Sequence, residues 1–128
     1  MPNRRTILIT IAALTVALPS VSARAAPFAE AAFEAAQIAG KPILVEVTAP
    51  WCSICKAQRP ILEKLRADPR FRSLEIFEID FDSQKDLLRR FGARMQSTLI
   101  AFKGRVEVGR SVGETQPEWI EGLVEKTL

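Results

Sequence analysis

The stretch ILVEVTAPWCSICKAQRPIL, residues 43–62, contains both cysteines of the 128-residue chain. Its first part, Ile43–Val47, is a short and mostly apolar run, which is typical of a buried strand. After the cysteines, apolar residues recur at roughly helical spacing from Ile54 onward, until Asp68 and a following proline end the pattern. The sequence therefore predicts that Cys52 lies where a strand ends and a helix begins.

The rest of the chain predicts further elements on both sides of this junction. Glycine and proline residues mark their ends, as Gly40 does after the first helical pattern and Pro117 does before the last one. The predicted elements are a helix over 28–39, a strand over 43–47, the helix after the cysteines, a strand around 74–81, a helix over 84–91 capped by Ser83, a hairpin of strands over 98–102 and 106–110, and a helix from Pro117. This order predicts the α/β class, with a mixed central sheet flanked by helices.

The first 25 residues have the pattern of a secretory leader. Arg4 and Arg5 precede an apolar run from Ile7 to Leu18, and small residues end at Ala25. The alternative is a membrane anchor, but the run is shorter than the roughly 20 residues that a spanning helix needs. We therefore expect a signal peptide over 1–25, a single domain over 26–128 and a periplasmic or otherwise exported protein, by either a general or a twin-arginine route.

The net positive charge of the chain comes from that leader. The whole sequence has 18 lysines and arginines against 15 aspartates and glutamates, and three of the arginines lie within the first 25 residues. The remaining domain is balanced, so we expect no nucleic-acid partner. Histidine is absent, which excludes His-ligated metal sites and catalysis by a cysteine–histidine or serine–histidine pair. We also expect a monomer.

The two cysteines are open to three interpretations. A stabilising disulfide normally closes a long loop, and only Ser53 and Ile54 lie between Cys52 and Cys55, so little chain entropy would be removed. A zinc site usually needs four ligands, and one chain offers two thiolates and no histidine, so a metal would have to bind between two chains.

The third interpretation is redox chemistry. At the start of a helix, the sulfur of Cys52 would face free backbone N–H groups and the positive end of the helix dipole, which stabilise a thiolate. Cys55, one turn later, could then resolve a mixed disulfide formed at Cys52. We favour this interpretation because the pair follows a strand directly and precedes a helix.

The segment Val45–Lys56 resembles the active site of the thioredoxin family. The resemblance continues toward the C-terminus. Residues 91–99 resemble the family's approach to its substrate-binding loop, Phe102-Lys103-Gly104 the hairpin that follows, and Val112-Gly113 the valine-glycine pair before the last helix. The resemblance implies a thioredoxin fold and exchange of disulfides with protein thiols, without a cofactor. The opening helix and the following GKPILVEV are most similar to exported members, which favours a reducing role and suggests a membrane protein as electron donor.

Glu46 occupies the position of the family's buried carboxylate, which is usually aspartate and takes a proton from the resolving thiol. The resemblance therefore implies a catalytic role for Glu46 beside Cys52 and Cys55. A buried carboxylate would have a raised pKa, as a proton carrier requires. The alternative is a residue on the solvent-facing side of its strand.

The resemblance also implies a substrate-binding surface at Trp51 and at the loop of Gln96, Ser97 and Thr98. Ser97 departs from the family, which has a cis-proline at this position. A cis bond before serine costs roughly 2.5 to 4 kcal/mol, so we expect a trans peptide. In the family, loss of this proline opens the thiols to a metal or an iron–sulfur cluster, so a cysteine-ligated and possibly dimeric binding module is the alternative function.

Overall fold

The computed structural model describes residues 25–128, which form one five-stranded mixed sheet with helices on both faces. The predicted leader lies outside the described residues except for Ala25. Within residues 25–128, no helix is long and apolar enough to cross a membrane. The elements are β1 Ala26–Pro27, α1 Glu30–Ile38, β2 Pro42–Thr48, α2 Ser53–Ala67, the short 3-10 turn Pro69–Phe71, β3 Glu75–Asp80, α3 Lys85–Phe91, β4 Thr98–Lys103, β5 Val106–Val112 and α4 Pro117–Glu125.

The strand that leads to the cysteines is the central one. In the order β1-β3-β2-β4-β5, β2 pairs in parallel with β3 and antiparallel with β4. Helices cover both faces of the sheet at this strand, which explains why the sequence of β2 is nearly continuously apolar. The cysteines therefore lie at the C-terminal end of the central strand, where α2 begins shortly after β2.

The alternation of side chains along β2 divides the core in two. Val45 points to the face that packs with Phe33 of α1 and Leu88 of α3. Leu44 points to the opposite face, where it packs with Leu62 of α2 and Ile120 of α4. Glu46 shares the parity of Leu44, so the register of the strand directs this carboxylate toward the α2 face.

The predicted mixed sheet flanked by helices is confirmed, with two local differences. Ser83 does not cap α3, because its hydroxyl donates to the Asp80 carboxylate 2.5 Å away, and the helix begins at Lys85. β1 was not predicted. It consists of two residues that pair with β3, and Phe28 N–H extends the contact to the Glu78 carbonyl at 2.8 Å.

Candidate active site

Cys52 and Cys55 form a disulfide at the N-terminus of α2, with their Cα atoms 5.3 Å apart. Cys52 is the N-cap of the helix, and the backbone N–H of Cys55 donates to its sulfur at 3.1 Å. A sulfur in this position receives both a hydrogen bond and the field of the helix dipole. After reduction, the same contact favours the thiolate of Cys52 over its thiol.

The disulfide is buried, and Trp51 beside it is exposed. Cys52 and Cys55 are 3% and 1% exposed and pack with Ala49 and Phe81, whereas Trp51 is 57% exposed. The sequence predicted Trp51 as a substrate contact, and its exposure leaves the indole available for that role.

Trp51 has a fixed orientation. Its indole N–H donates to the Asp82 carboxylate at 2.8 Å, and its ring contacts the edge of Phe81 at a centroid distance of 6.2 Å. Sequence reasoning missed Asp82. A signal was present, because Asp82 follows β3, which runs parallel to β2, and the carboxyl ends of parallel strands meet at the same edge of a sheet.

Glu46 is buried, with 4% of its surface exposed, so the interpretation as a solvent-facing strand residue is wrong. Burial is the main reason why the pKa of Glu46 rises from 4.5 to about 7, and the negative charge of Glu78 adds to it. Arg59 and Arg66 of α2 lower the pKa in opposition. A carboxyl with a pKa near neutrality can both accept and release a proton under ordinary conditions.

A pocket of about 370 Å³ lies between β2, β3 and α2 at this carboxyl. Its lining includes Glu46, Glu78, Arg59 and Arg66. Glu78 stands opposite Glu46 in the register of the two parallel strands. The sequence did not identify Glu78, because its proximity depends on that register.

The carbonyl oxygen of Val47 connects Glu46, the cysteines and the loop before β4. It follows Glu46 in the chain and lies 3.9 Å from the sulfur of Cys55. The same oxygen accepts the backbone N–H of Ser97 at 2.8 Å. The structure therefore brings Ser97 beside the cysteines, as the predicted substrate-binding loop requires.

The Gln96-Ser97 peptide bond is trans, as is every peptide bond in the part of the chain that the structure describes. The φ of 58° at Ser97 lies in the left-handed region, which is uncommon for a residue with a Cβ atom. The hydroxyl of Ser97 donates to the Gln96 carbonyl at 2.5 Å. Thr98 is buried, with its hydroxyl donating to the Met95 carbonyl at 2.7 Å, so the accessible side chains just before β4 are those of Arg94, Met95 and Gln96.

The sequence model of the family described as Thioredoxin matches residues 24–126. The chain belongs to the thioredoxin family. It is thus a thiol–disulfide oxidoreductase, with its Cys-x-x-Cys pair in the disulfide form in this structure. Thioredoxins act on protein thiols and disulfides.

Individual relatives agree with this assignment. A thioredoxin from Chlamydia muridarum is 36% identical over 89 residues, which cover 70% of this chain and 85% of the relative. The bifunctional thioredoxin reductase/thioredoxin of Mycobacterium leprae is 36% identical over 73 residues, 57% of this chain and 16% of that protein. The crystal structure of Trxlp from Edwardsiella tarda EIB202 superposes with a TM-score of 0.76 at 42% identity, covering 79% of this chain and 98% of that one.

The metal-binding alternative gains no support from the site of this thioredoxin-family chain. Cys52 and Cys55 are bonded to each other. In the range 25–128, no three histidine, cysteine, aspartate or glutamate side chains are grouped so that they could hold a metal ion.

Replacing Ser97 with proline should destabilise the fold by about 3 kcal/mol or more. Proline has no N–H to donate to Val47, and its ring holds φ near −65°, far from the 58° at this position. Urea unfolding at pH 7 would measure the loss. The matched control is Ser97→Gly, which accepts a positive φ and should stay within about 1 kcal/mol of the parent. A proline variant as stable as the parent would mean that the loop can adopt another conformation at no cost.

Proposed function

We propose that this thioredoxin-family protein reduces disulfides in exported proteins, with Cys52 as the attacking and Cys55 as the resolving thiol. The observation that carries the assignment of roles is the position of Cys52 as N-cap, with its sulfur accepting the N–H of Cys55 at 3.1 Å. Only one of the two sulfurs has this stabilisation. The leader pattern of residues 1–25 supports export.

The reaction transfers two electrons from the cysteines to the substrate. The thiolate of Cys52 attacks one sulfur of the substrate disulfide, whose S–S bond breaks, and the departing sulfur takes up a proton. Cys55 then loses its proton and attacks Cys52, which releases the second substrate thiol and leaves the intramolecular disulfide. We assign the acceptance of the Cys55 proton to Glu46, whose pKa of about 7 suits this step.

Trp51, Met95 and Gln96 form the surface that we assign to substrate binding. Trp51 and Met95 are exposed apolar side chains on segments adjoining the disulfide, and Gln96 is partly exposed. Apolar and aromatic side chains of this kind contribute strongly to protein interfaces. The substrate class that fits is a protein with an accessible disulfide, as in the rest of the family.

The oxidised pair has to be reduced again by an electron donor. The resemblance to exported family members favours a membrane protein that passes electrons from the cytoplasm. The alternative is a thioredoxin reductase, as the name of the bifunctional Mycobacterium leprae relative suggests. Either donor would return two electrons to the Cys52–Cys55 disulfide by the same exchange chemistry.

The direction of electron flow can be tested by equilibrating the Cys52–Cys55 pair in glutathione buffers. A reducing role predicts a potential near −270 mV, as for thioredoxin, whereas a value near −120 mV would show a disulfide donor. The substrates can be tested in cells with a Cys55→Ser variant, which should accumulate mixed disulfides with exported proteins. The control is a variant with both cysteines replaced, which should trap none.

A further inference from the structure

Gln58 is a fully buried polar residue on the inner face of α2. It lies one turn after Cys55, and its side chain has 0% exposure. Its amide nitrogen donates to two backbone carbonyls, those of Ser97 at 3.3 Å and Glu114 at 2.9 Å. Both acceptors lie in loops, so a single side chain bridges the cysteine-bearing helix and two other segments.

The bonding of Gln58 is one-sided. Its amide oxygen is buried with no hydrogen-bond partner among the described residues. A buried polar atom without a partner costs free energy, which an apolar side chain of the same size would avoid. Any benefit of glutamine at this position must therefore come from its N–H groups, which bind the Ser97 and Glu114 carbonyls.

The two carbonyls belong to two loops that are bonded to each other, and the first of these loops shares the Val47 carbonyl with Cys55. The carbonyl of Ser97 also accepts the N–H of Gly113 at 3.0 Å, so the loop before β4 and the turn after β5 are joined to each other. Gln58 fastens both to α2, while the N–H of Ser97 fastens the same loop to Val47 of β2. Both the N–H and the carbonyl of Ser97, whose φ is in the left-handed region, are therefore hydrogen-bonded.

We propose that Gln58 is a positioning residue for substrate binding. By holding the Ser97 and Glu114 carbonyls against α2, it keeps the loop in the trans, left-handed conformation that presents Met95 and Gln96 next to the disulfide. An ordered loop loses less conformational freedom when a protein substrate binds. This inference rests on the proposed function for the substrate, although the effect on the loop is independent of it.

The first test compares Gln58→Met with the parent, because methionine has nearly the same length and no N–H donor. We expect KM for reduction of insulin disulfides to rise about 5- to 20-fold, with kcat changed less than about 2-fold. Reduction of 5,5′-dithiobis(2-nitrobenzoic acid), which needs no loop contact, should keep its rate within about 2-fold. Thr127→Val is the matched control, because it removes a buried hydroxyl that donates to the Val124 carbonyl at 2.6 Å in the turn after α4.

A second variant covers the case in which Gln58→Met fails to fold. Gln58→Glu keeps the shape and has no donor when ionised, but its protonated form offers one O–H group. We therefore expect a raised KM at pH 8 that falls toward the parent value at pH 5. A KM that stays equally raised at both pH values would contradict the role of the N–H donors.

Amide hydrogen exchange gives a readout without any substrate. In the oxidised Gln58→Met protein, the N–H groups of Ser97 and Gly113 should exchange at least about 10-fold faster than in the parent. The N–H of Phe71, bonded to the Asp68 carbonyl at 2.9 Å, should be unchanged. Unchanged exchange at Ser97 and Gly113 would overturn the positioning role. Faster exchange with an unchanged KM would overturn its link to substrate binding. A parent that does not reduce insulin at all would instead refute the proposed function.

Discussion

Replacing Cys52 with serine should lower the rate of disulfide exchange by about 10³-fold or more. A serine hydroxyl is not ionised near neutral pH and forms no disulfide, so the first step has no nucleophile. The change should leave the fold stable, because the disulfide to Cys55 closes a very short loop and removes little entropy from the unfolded chain. The initial rate of insulin reduction, with dithiothreitol as electron donor, measures the effect.

Cys55→Ser is the matched variant, because it loses the same disulfide and keeps the attacking sulfur. It should react once with a substrate disulfide and stop as a mixed disulfide, which mass spectrometry detects on Cys52. If Cys55→Ser failed to form this adduct while Cys52→Ser formed one on Cys55, the two roles would have to be exchanged.

Replacing Glu46 with glutamine should stabilise the protein by up to about 3 kcal/mol at pH 8 and leave its stability nearly unchanged at pH 4. Because the pKa of Glu46 is raised from 4.5 to about 7 in the fold, its contribution is most favourable below pH 4.5 and is lost as the pH rises through 7. Each pKa unit corresponds to about 1.4 kcal/mol. Urea unfolding at a series of pH values from 4 to 8 would measure the difference.

The same substitution should slow disulfide exchange by about 10²-fold, since a proton acceptor is removed while the shape is kept. Greater stability together with lower activity would separate this effect from simple unfolding. Glu78→Gln is the companion variant: it removes a negative charge that raises the pKa of Glu46, so the loss of stability with rising pH should be smaller and should end at a lower pH than in the parent. The pKa values of Asp68 and Asp80 are lowered from 3.8, so the effect of these two carboxyls on stability appears at more acidic pH than that of Glu46. A parent and a Glu46→Gln variant with the same stability profile between pH 4 and 8 would contradict the raised pKa.

The elements around the cysteines could be predicted because local patterns determine them. The apolar run of β2, the helical spacing in α2 and the proline that opens α4 all match the structure. β1 could not be predicted in this way, since two residues have no periodicity and their pairing depends on β3, far along the chain. The same limit applies to Glu78, whose place opposite Glu46 follows from strand register.

The loop at Ser97 shows another limit of sequence reasoning. The absence of proline predicted the trans peptide, but the left-handed φ and the N–H bond to Val47 arise from tertiary contacts. From the sequence alone, restoring proline would simply favour a cis bond, whereas the structure shows that proline would also remove this hydrogen bond. Gln58 could have been found, because it lies four residues after Ile54 and four before Leu62, on one face of α2.

If residues 1–25 are a cleaved leader, as the sequence predicts, the two-residue strand β1 constrains when that leader can be removed. Ala26 and Pro27 are already paired with Phe77 and Glu78, so no slack separates the expected cleavage point after Ala25 from the folded sheet. Proteases cut segments that are accessible and unpaired. Removal of the leader at this point would therefore have to precede closure of the sheet edge, or the edge would have to open transiently. A domain that folded before crossing the membrane would present its peptidase with a substrate that is partly locked into a sheet, and its maturation should be slow.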